Sequence, residues 1–294
     1  MKTANVLLCV LAVVFFATAA YAGILPVFYA SFENDTPDTA GVTIHDDAGS
    51  LHGTLQDGLV RASAAKIGSR CWEAPGDWWP NGVKGNAATA QQVAVLPSGD
   101  SAWSFNVWWK GMDDYTEASV RWGTYDTNQH TSLWASTSPS FTNGIFTNHA
   151  APGQGPPGPN STNPPVAGQM SVPGGGVWHQ AVGTYTGAQG TECLYIDGQL
   201  VDSISRSGYA LSIVNSTSAP WRIGVGQGAG ARIDDIAIWD IALTPAQVTE
   251  LYNGGTGKAA NQLIGEDIPE PATMALLGLA ACGLGGYIRR RRTA

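Results

Sequence analysis

Cysteine and positive charge are both scarce in this chain of 294 residues. It has four cysteines, and only Cys71 and Cys193 lie away from the two ends. Two thiols cannot build the dense bridging of a small disulfide scaffold, and no C-x-x-C is present for zinc or redox exchange. Lysine and arginine number 15 against 23 acidic residues, a formal net charge of −8 at pH 7. Between residues 23 and 268 the balance is ten basic against twenty-two acidic side chains, or −12. Nucleic-acid binding needs a basic footprint, so that class is excluded. Such acidity favours divalent cations or neutral polymers as partners, and it also serves solubility. The five histidines stand singly, with no H-E-x-x-H, and no G-x-S-x-G elbow occurs. An internal repeat at solenoid period is missing too.

Long apolar runs stand at the two ends. Lys2, the run Val6 to Phe16, and Ala20-Tyr21-Ala22 read as a secretory signal peptide over residues 1–22, cut before Gly23. Cys9 lies inside the run, which argues against a lipoprotein cut. At the other end, Ile268-Pro269-Glu270-Pro271 precedes an apolar segment, Ala272 to Ile288, closed by Arg289, Arg290, Arg291 and Arg292. That segment is marginal for a full span, since a bilayer core wants about 20 residues. The arginines would hold its end on the cytoplasmic side. These residues, 268–294, resemble the PEP-CTERM sorting signal of Gram-negative-type bacteria. The resemblance implies a transmembrane sorting helix, exosortase-type processing machinery, and a globular part in the cell envelope, at the surface or in the extracellular matrix. A plain single-span anchor is the alternative, and it also places that part outside the cytoplasm.

Between the signals, the densest pattern runs from Trp178 to Tyr252. Trp178 to Tyr185 alternates as a half-buried strand. Asp197-Gly198 joins two such runs, and both central residues of a type I′ turn need positive φ, so a hairpin is expected. Thr244 suits an N-cap, Pro245 the first helical position and Gln247 a capping box, with Gly254 and Gly255 as the stop. The series W-H-x-x-V-G-T-Y, L-Y-I-D-G and I-D-D-I-A-I-W-D-x-A-L-T-P-A-Q-V-x-x-L-Y resembles laminin-G-like, concanavalin A-like domains. That resemblance implies an all-β fold, a two-sheet antiparallel jelly-roll sandwich over residues 23–257, followed by a linker over 258–267. It implies a glycan- or protein-binding module, although one fold hosts many functions.

Earlier in the chain, Pro26 to Phe32 reads as a first strand, which the family sets beside the strand at Asp234. Asp46 to Leu55 matches the family's D-x-S-G-N region without its Asn, and Lys66 to Trp72 matches a short strand. Gln92 to Pro97 reads as sheet. In Trp103 to Lys110 the side chains of Trp103, Phe105, Val107 and Trp109 alternate onto the core face, leaving Ser104, Asn106 and Trp108 on the other. Ser136 to Gly176, rich in Pro, Gly, Ser, Thr and Asn, reads as one extended surface loop.

Several residues are candidates for chemistry. Jelly rolls of this type include laminarinase-like hydrolases, which need two carboxylates facing one cleft. No E-x-D-x-E is present, and Asp113-Asp114 and Asp234-Asp235 are adjacent, so each pair should face opposite sides. A non-catalytic protein is expected. Asp234 shares parity with Ile236 and Ile238 and should point inward, where a carboxylate must be paired or metal-bound. In the sandwiches that the chain resembles, the exit loop of the first strand can lie close to this strand, which implies that Glu33 and Asp234 could share a calcium ion; capping of backbone N–H groups is the alternative. Trp72, Trp78 and Trp79, with Asp77 and Asn81, surround a Pro/Gly-bounded insertion and suit sugar stacking or core closure. Trp108 would be a sugar platform unless a loop covers it. Cys71 and Cys193 would form a disulfide, or remain two buried thiols. The function expected is an exported binding or adhesion module for a polysaccharide or glycoprotein. The alternatives are a divergent glycoside hydrolase or lyase, and a structural matrix component.

Overall fold

The computed structural model describes residues 23–35, 43–55, 60–74, 82–111, 117–124, 129–136, 143–147, 166–168, 176–208, 210–226 and 230–263. The strands in chain order are β1 (Phe28–Ala30), β2 (Thr43–Ile44), β3 (Gly53–Leu55), β4 (Val60–Ala62), β5 (Cys71–Glu73) and β6 (Gly82–Gly85). Then follow β7 (Trp103–Lys110), β8 (Glu117–Thr124), β9 (Gln129–Ser136), β10 (Asn143–Thr147) and β11 (Val166–Gly168). The later strands are β12 (Trp178–Tyr185), β13 (Thr191–Ile196), β14 (Gln199–Ser205), β15 (Trp221–Gly226) and β16 (Arg232–Trp239). Helix α1 is Ala90–Val93 and helix α2 is Pro245–Tyr252.

Two antiparallel eight-stranded sheets face each other. The first runs β14-β13-β12-β7-β16-β5-β4, with β1 also paired to β16; the second runs β11-β10-β9-β8-β15-β6-β3-β2. Alternating side chains fill the space between them. From the first sheet come Trp72, Trp103, Phe105, Val107, Trp109, Ile233, Ile236 and Ile238; from the second come Val83, Val120, Trp122, Leu133, Trp221 and Ile223. Aromatic rings meet across the layers: Trp103 and Phe105 stand edge-on to Trp122 at 5.7 and 5.5 Å, and Phe28 tilts against Trp221 at 4.7 Å. Each such ring removes roughly 150–250 Å² from water, about 4–6 kcal/mol before conformational entropy opposes it. Gly53 lets this packing close, because a Cβ there would lie 2.5 Å from the Trp221 ring.

The outer face of the first sheet is buried as well. Tyr29, Val182, Tyr195, Ala237 and Trp239 are covered by Leu243, Val248 and Leu251 and by Ala260 and Leu263 beyond α2. The Thr244 hydroxyl accepts from the Gln247 N–H, and the Gln247 side chain accepts from the Thr244 N–H at 2.7 Å. Asn253 ends the helix in the left-handed region at φ 50°, followed by Gly254 and Gly255 at positive φ. The hairpin turn at Asp197 and Gly198 has φ 50° and 75°, as a type I′ turn demands.

Four expectations need correction. Gln92 to Pro97 does not extend the sheet; Thr89 and Gln92 form a capping box that starts α1 instead. The stretch from Ser136 to Gly176 carries two strands, β10 and β11, which end the second sheet. Residues 258–263, expected as linker, belong to the compact unit Ile24–Leu263, with the Ile24 N–H bonded to the Leu263 carbonyl at 3.0 Å. Cys71 and Cys193 are both free. They stand on β5 and β13, which β16, β7 and β12 separate within one sheet. Strands lie about 4.8 Å apart, so the two Cα atoms are roughly 19 Å apart where a bridge needs less than about 7 Å. Burial pushes the Cys71 thiol up to about 12, which leaves it inert. Alkylation of the unfolded protein under non-reducing conditions should therefore label both thiols, and dithiothreitol should leave Tm unchanged. A Cys71–Cys193 linked peptide in a digest would contradict this topology.

Candidate functional site

The candidate site lies over the outer face of the first sheet and begins with a bulge. The pairing of β16 with β7 shifts register between Asp234 and Ala237. Asp235, at φ 46°, is the extra residue. The shift reverses parity, so Ile233, Ile236 and Ile238 all face the core while Asp234 lies opposite Trp108. Asp234 therefore does not point into the sandwich as its spacing from Ile236 suggested. Nor do the two acids face opposite ways: Asp235 accepts from Asn106, an outer-face residue, and from the Tyr29 hydroxyl at 2.5 Å. The Asn106 amide in turn accepts from Gln180 at 2.8 Å. Both carboxylates are fully buried.

Asp234 and Glu33 together hold loop 66–70. Asp234 Oδ2 accepts the Lys66 and Ile67 N–H groups at 2.7 and 2.9 Å, and its Oδ1 accepts from Asp235 N–H at 2.8 Å. Glu33 takes the other half of the loop: Oε1 accepts the Ser69 and Arg70 N–H groups at 2.8 and 2.7 Å, and Oε2 the Ser69 hydroxyl at 2.6 Å. Partial burial pushes Glu33 up, but its bonds from Ser69 and Arg70 outweigh this and hold it below its ordinary value. At Asp234 burial dominates and lifts the pKa well above the carboxylate range despite the N–H bonds. Asp235 is lifted to about 7, again by burial. The loop's Lys66 lies 4.5 Å above the Trp108 ring, and burial lowers its pKa against the pull of Asp197 and Asp234.

Beside this loop opens a cleft of about 1330 Å³. Its walls are the exit of β1, loop 66–68 and the segment from α2 to Gln262. Asp47 braces the first wall, accepting from the Ser31 N–H at 3.1 Å, the Ser31 hydroxyl and the Asn34 amide at 2.7 Å. Opposite stand Asn253, Asn261 and Gln262, and Glu250 paired with Lys258. Amides, hydroxyls and braced carboxylates thus converge on one hollow.

The residues expected at the site fare differently. Trp72 is buried in the core, its indole N–H donating to Asp35 at 2.8 Å. Trp108 is no platform: Tyr252 of α2 stacks on it at 5.9 Å and 11°, and Lys66 covers it further. Asp77, Trp78, Trp79 and Asn81 lie outside the described residues, as do residues 1–22, Pro269, Glu270, Pro271 and the four terminal arginines. Glu33 and Asp234 converge on one loop, but as N–H caps. The donor set does not fit a shared calcium, because these oxygens already face backbone N–H donors and calcium wants six or more oxygens. Among the described residues no cluster of three or more metal-binding side chains occurs. Asn34, Asp47, Asn253 and Asn261 were missed, since nothing in the sequence signals that the first and last segments meet.

Residues 81–249 match the model of the concanavalin A-like lectin/glucanases superfamily, Laminin_G_3, and residues 267–292 match the PEP-CTERM protein-sorting motif. The motif indicates export to the cell envelope or surface in Gram-negative bacteria and implies processing by exosortase machinery. No curated protein matches the chain. Among solved structures, domain 4 of AbnA, an extracellular arabinanase from Geobacillus stearothermophilus in complex with arabinotriose, is 19% identical with TM-score 0.51. The match covers 78% of this chain and 98% of that one. The receptor binding domain of botulinum neurotoxin D is 13% identical with TM-score 0.52, over 78% of this chain and 52% of its own. The chain thus spans about half of that domain's length, and both likenesses speak for the fold alone.

Two outcomes follow from the buried acids. Asp234→Ala should cost about 3 kcal/mol, since unpaired buried N–H donors cost ~1–3 kcal/mol each. The loss should be equal in calcium and in chelator when followed by thermal melting; a calcium-dependent difference would return a metal to this pair. For Asp235, the folded protein keeps a proton up to about pH 7 that the unfolded chain releases near pH ~4. Its contribution is therefore full at low pH and declines as pH rises through that window. Urea unfolding of wild type and Asp235→Asn should diverge there, with the wild type losing ground; parallel curves would place the proton elsewhere.

Proposed function

The chain belongs to the concanavalin A-like lectin/glucanase superfamily, and on that premise we propose that it is an exported, non-catalytic glycan-binding module of the cell envelope or surface. The observation that carries this reading is the polar cleft. Hydroxylated ligands are recognised by fixed amides and carboxylates that exchange hydrogen bonds with them, and Asn34, Asp47, Asn253 and Asn261 border one hollow. The bracing of Asp47 by Ser31 and Asn34 means little side-chain entropy is lost on binding. Hydrolysis would need one carboxylate as acid and a second as nucleophile or base across the bond. Here Glu33 is committed to loop 66–70, Glu250 to Lys258, and the acids of β16 are sealed beneath the cover. The arabinanase domain bound to arabinotriose is in keeping with this use of the fold.

The test is an array of neutral oligosaccharides, arabinan fragments included, probed with the full-length protein in detergent. Binding should appear without release of reducing ends. Asn34→Ala and Asn261→Ala should each weaken it roughly fivefold, the equivalent of one neutral hydrogen bond near 1 kcal/mol. Reducing ends that vanish in Asp47→Asn would make the protein an enzyme, and a blank array would leave a structural component.

A further inference from the structure

The second sheet has an outer face that the cleft reading does not use, and its charge is out of keeping with the chain. Lys84 follows the core residue Val83, Arg121 stands between Val120 and Trp122, and Arg222 between Trp221 and Ile223. Their neighbours face the core, so period two turns these three side chains outward. Register then brings them side by side. Arg222 of β15 lies directly opposite Lys84 of β6 on one side and opposite Arg121 of β8 on the other. At about 4.8 Å per strand, three cations line up over roughly 10 Å.

Only ten basic residues occur between residues 23 and 268, and three of them meet here. Like charges directly opposite each other destabilise a sheet, so Lys84 facing Arg222 costs stability that an anion would restore. Beside it lies a hollow of about 280 Å³ lined by Lys84, Arg121, Arg222, Thr124, Ser216 and Ser218, with no acidic residue among its described lining. Arg222 is exposed, Lys84 is half-buried, and among the described residues neither has an ion-pair partner. Thr54, opposite Lys84 on β3, extends the row with a hydroxyl.

We propose that the row Lys84–Arg222–Arg121 is a second binding site, which takes an acidic polysaccharide through its carboxylate or sulfate groups. Fixed spacing on a sheet suits a polymer that carries an anion on successive units, and the flanking Ser and Thr hydroxyls suit its sugar hydroxyls. Arginine adds bidentate geometry toward carboxylate and sulfate. Nucleic acid fits less well, since a net charge of −8 repels a polyanion of that density beyond the row itself. This site is independent of the cleft, and either can fail alone.

The experiment is affinity electrophoresis of the full-length protein in gels holding alginate, chondroitin sulfate or neutral dextran, over a salt series. Retention is expected in the two acidic gels, falling as salt rises, and not in dextran. Arg222→Glu and Lys84→Glu should each weaken retention about tenfold or more, as expected for a charged contact replaced by repulsion. Arg222→Lys should hold within about threefold, and Asn34→Ala should change nothing, which separates this site from the cleft. Alginate and chondroitin sulfate arms distinguish carboxylate from sulfate recognition. Retention that is absent in the wild type, equal in dextran or indifferent to both charge reversals would overturn the site. So would duplex DNA displacing alginate on equal terms, because the row would then be a generic polyanion contact. The wild-type salt series and the DNA competition decide the matter even if a variant fails to fold.

Discussion

Strand β16 is buried on both faces, and the arrangement of the rest follows from how those faces are filled. Inward, Ile233, Ile236 and Ile238 join the aromatic layer between the sheets. Outward, Ala237 and Trp239 need an apolar cover, and two carboxylates need partners. A regular strand could not present three isoleucines inward from positions 233, 236 and 238. The extra residue at Asp235 resolves the mismatch by taking a left-handed backbone. The same bulge delivers Asp234 to loop 66–70 and Asp235 to Tyr29 and Asn106.

That solution divides the molecule's surfaces. Helix α2 and the segment to Leu263 are spent covering the first sheet, and Tyr252 and Lys66 are spent on Trp108. What remains for a ligand there is the rim, where the exit of β1 faces the closing segment across the cleft. Among the described residues no helix is laid on the outer face of the second sheet, and Arg222 is exposed there. A rim of amides and a flat row of cations ask for different chemistry. One exchanges hydrogen bonds with neutral hydroxyls, and the other attracts charge. The sorting motif at residues 267–292 is in keeping with the proposal that both meet polymers outside the cytoplasm.

Much of the frame was legible because short-range rules governed it. Trp103, Phe105, Val107 and Trp109 recur at every second position, and this core set is the one observed. Asp197-Gly198 and the Thr244-Pro245-Gln247 start are local signals whose physics acts within a few residues. Helix α1 was missed although Thr89 and Gln92 carry the same capping logic, because the apolar residues after them looked strand-like. The bulge was missed for a different reason. Parity counting assumes one residue per step, and nothing in Ile233-Asp234-Asp235-Ile236 says which acid breaks the count.

Alternation, turn residues and caps determined the strands at Trp103 to Lys110 and Trp178 to Tyr185, the Asp197-Gly198 hairpin and the capped final helix, since each acts over a few neighbours. The two-layer antiparallel sandwich and the sorting tail were instead implied by resemblance to known families. Tertiary structure alone decided which tryptophans are covered, that the two thiols stand four strands apart, and that Lys84, Arg121 and Arg222 align. Those are consequences of register and of which distant segments meet, set by the sum of many packing contacts rather than by any local preference.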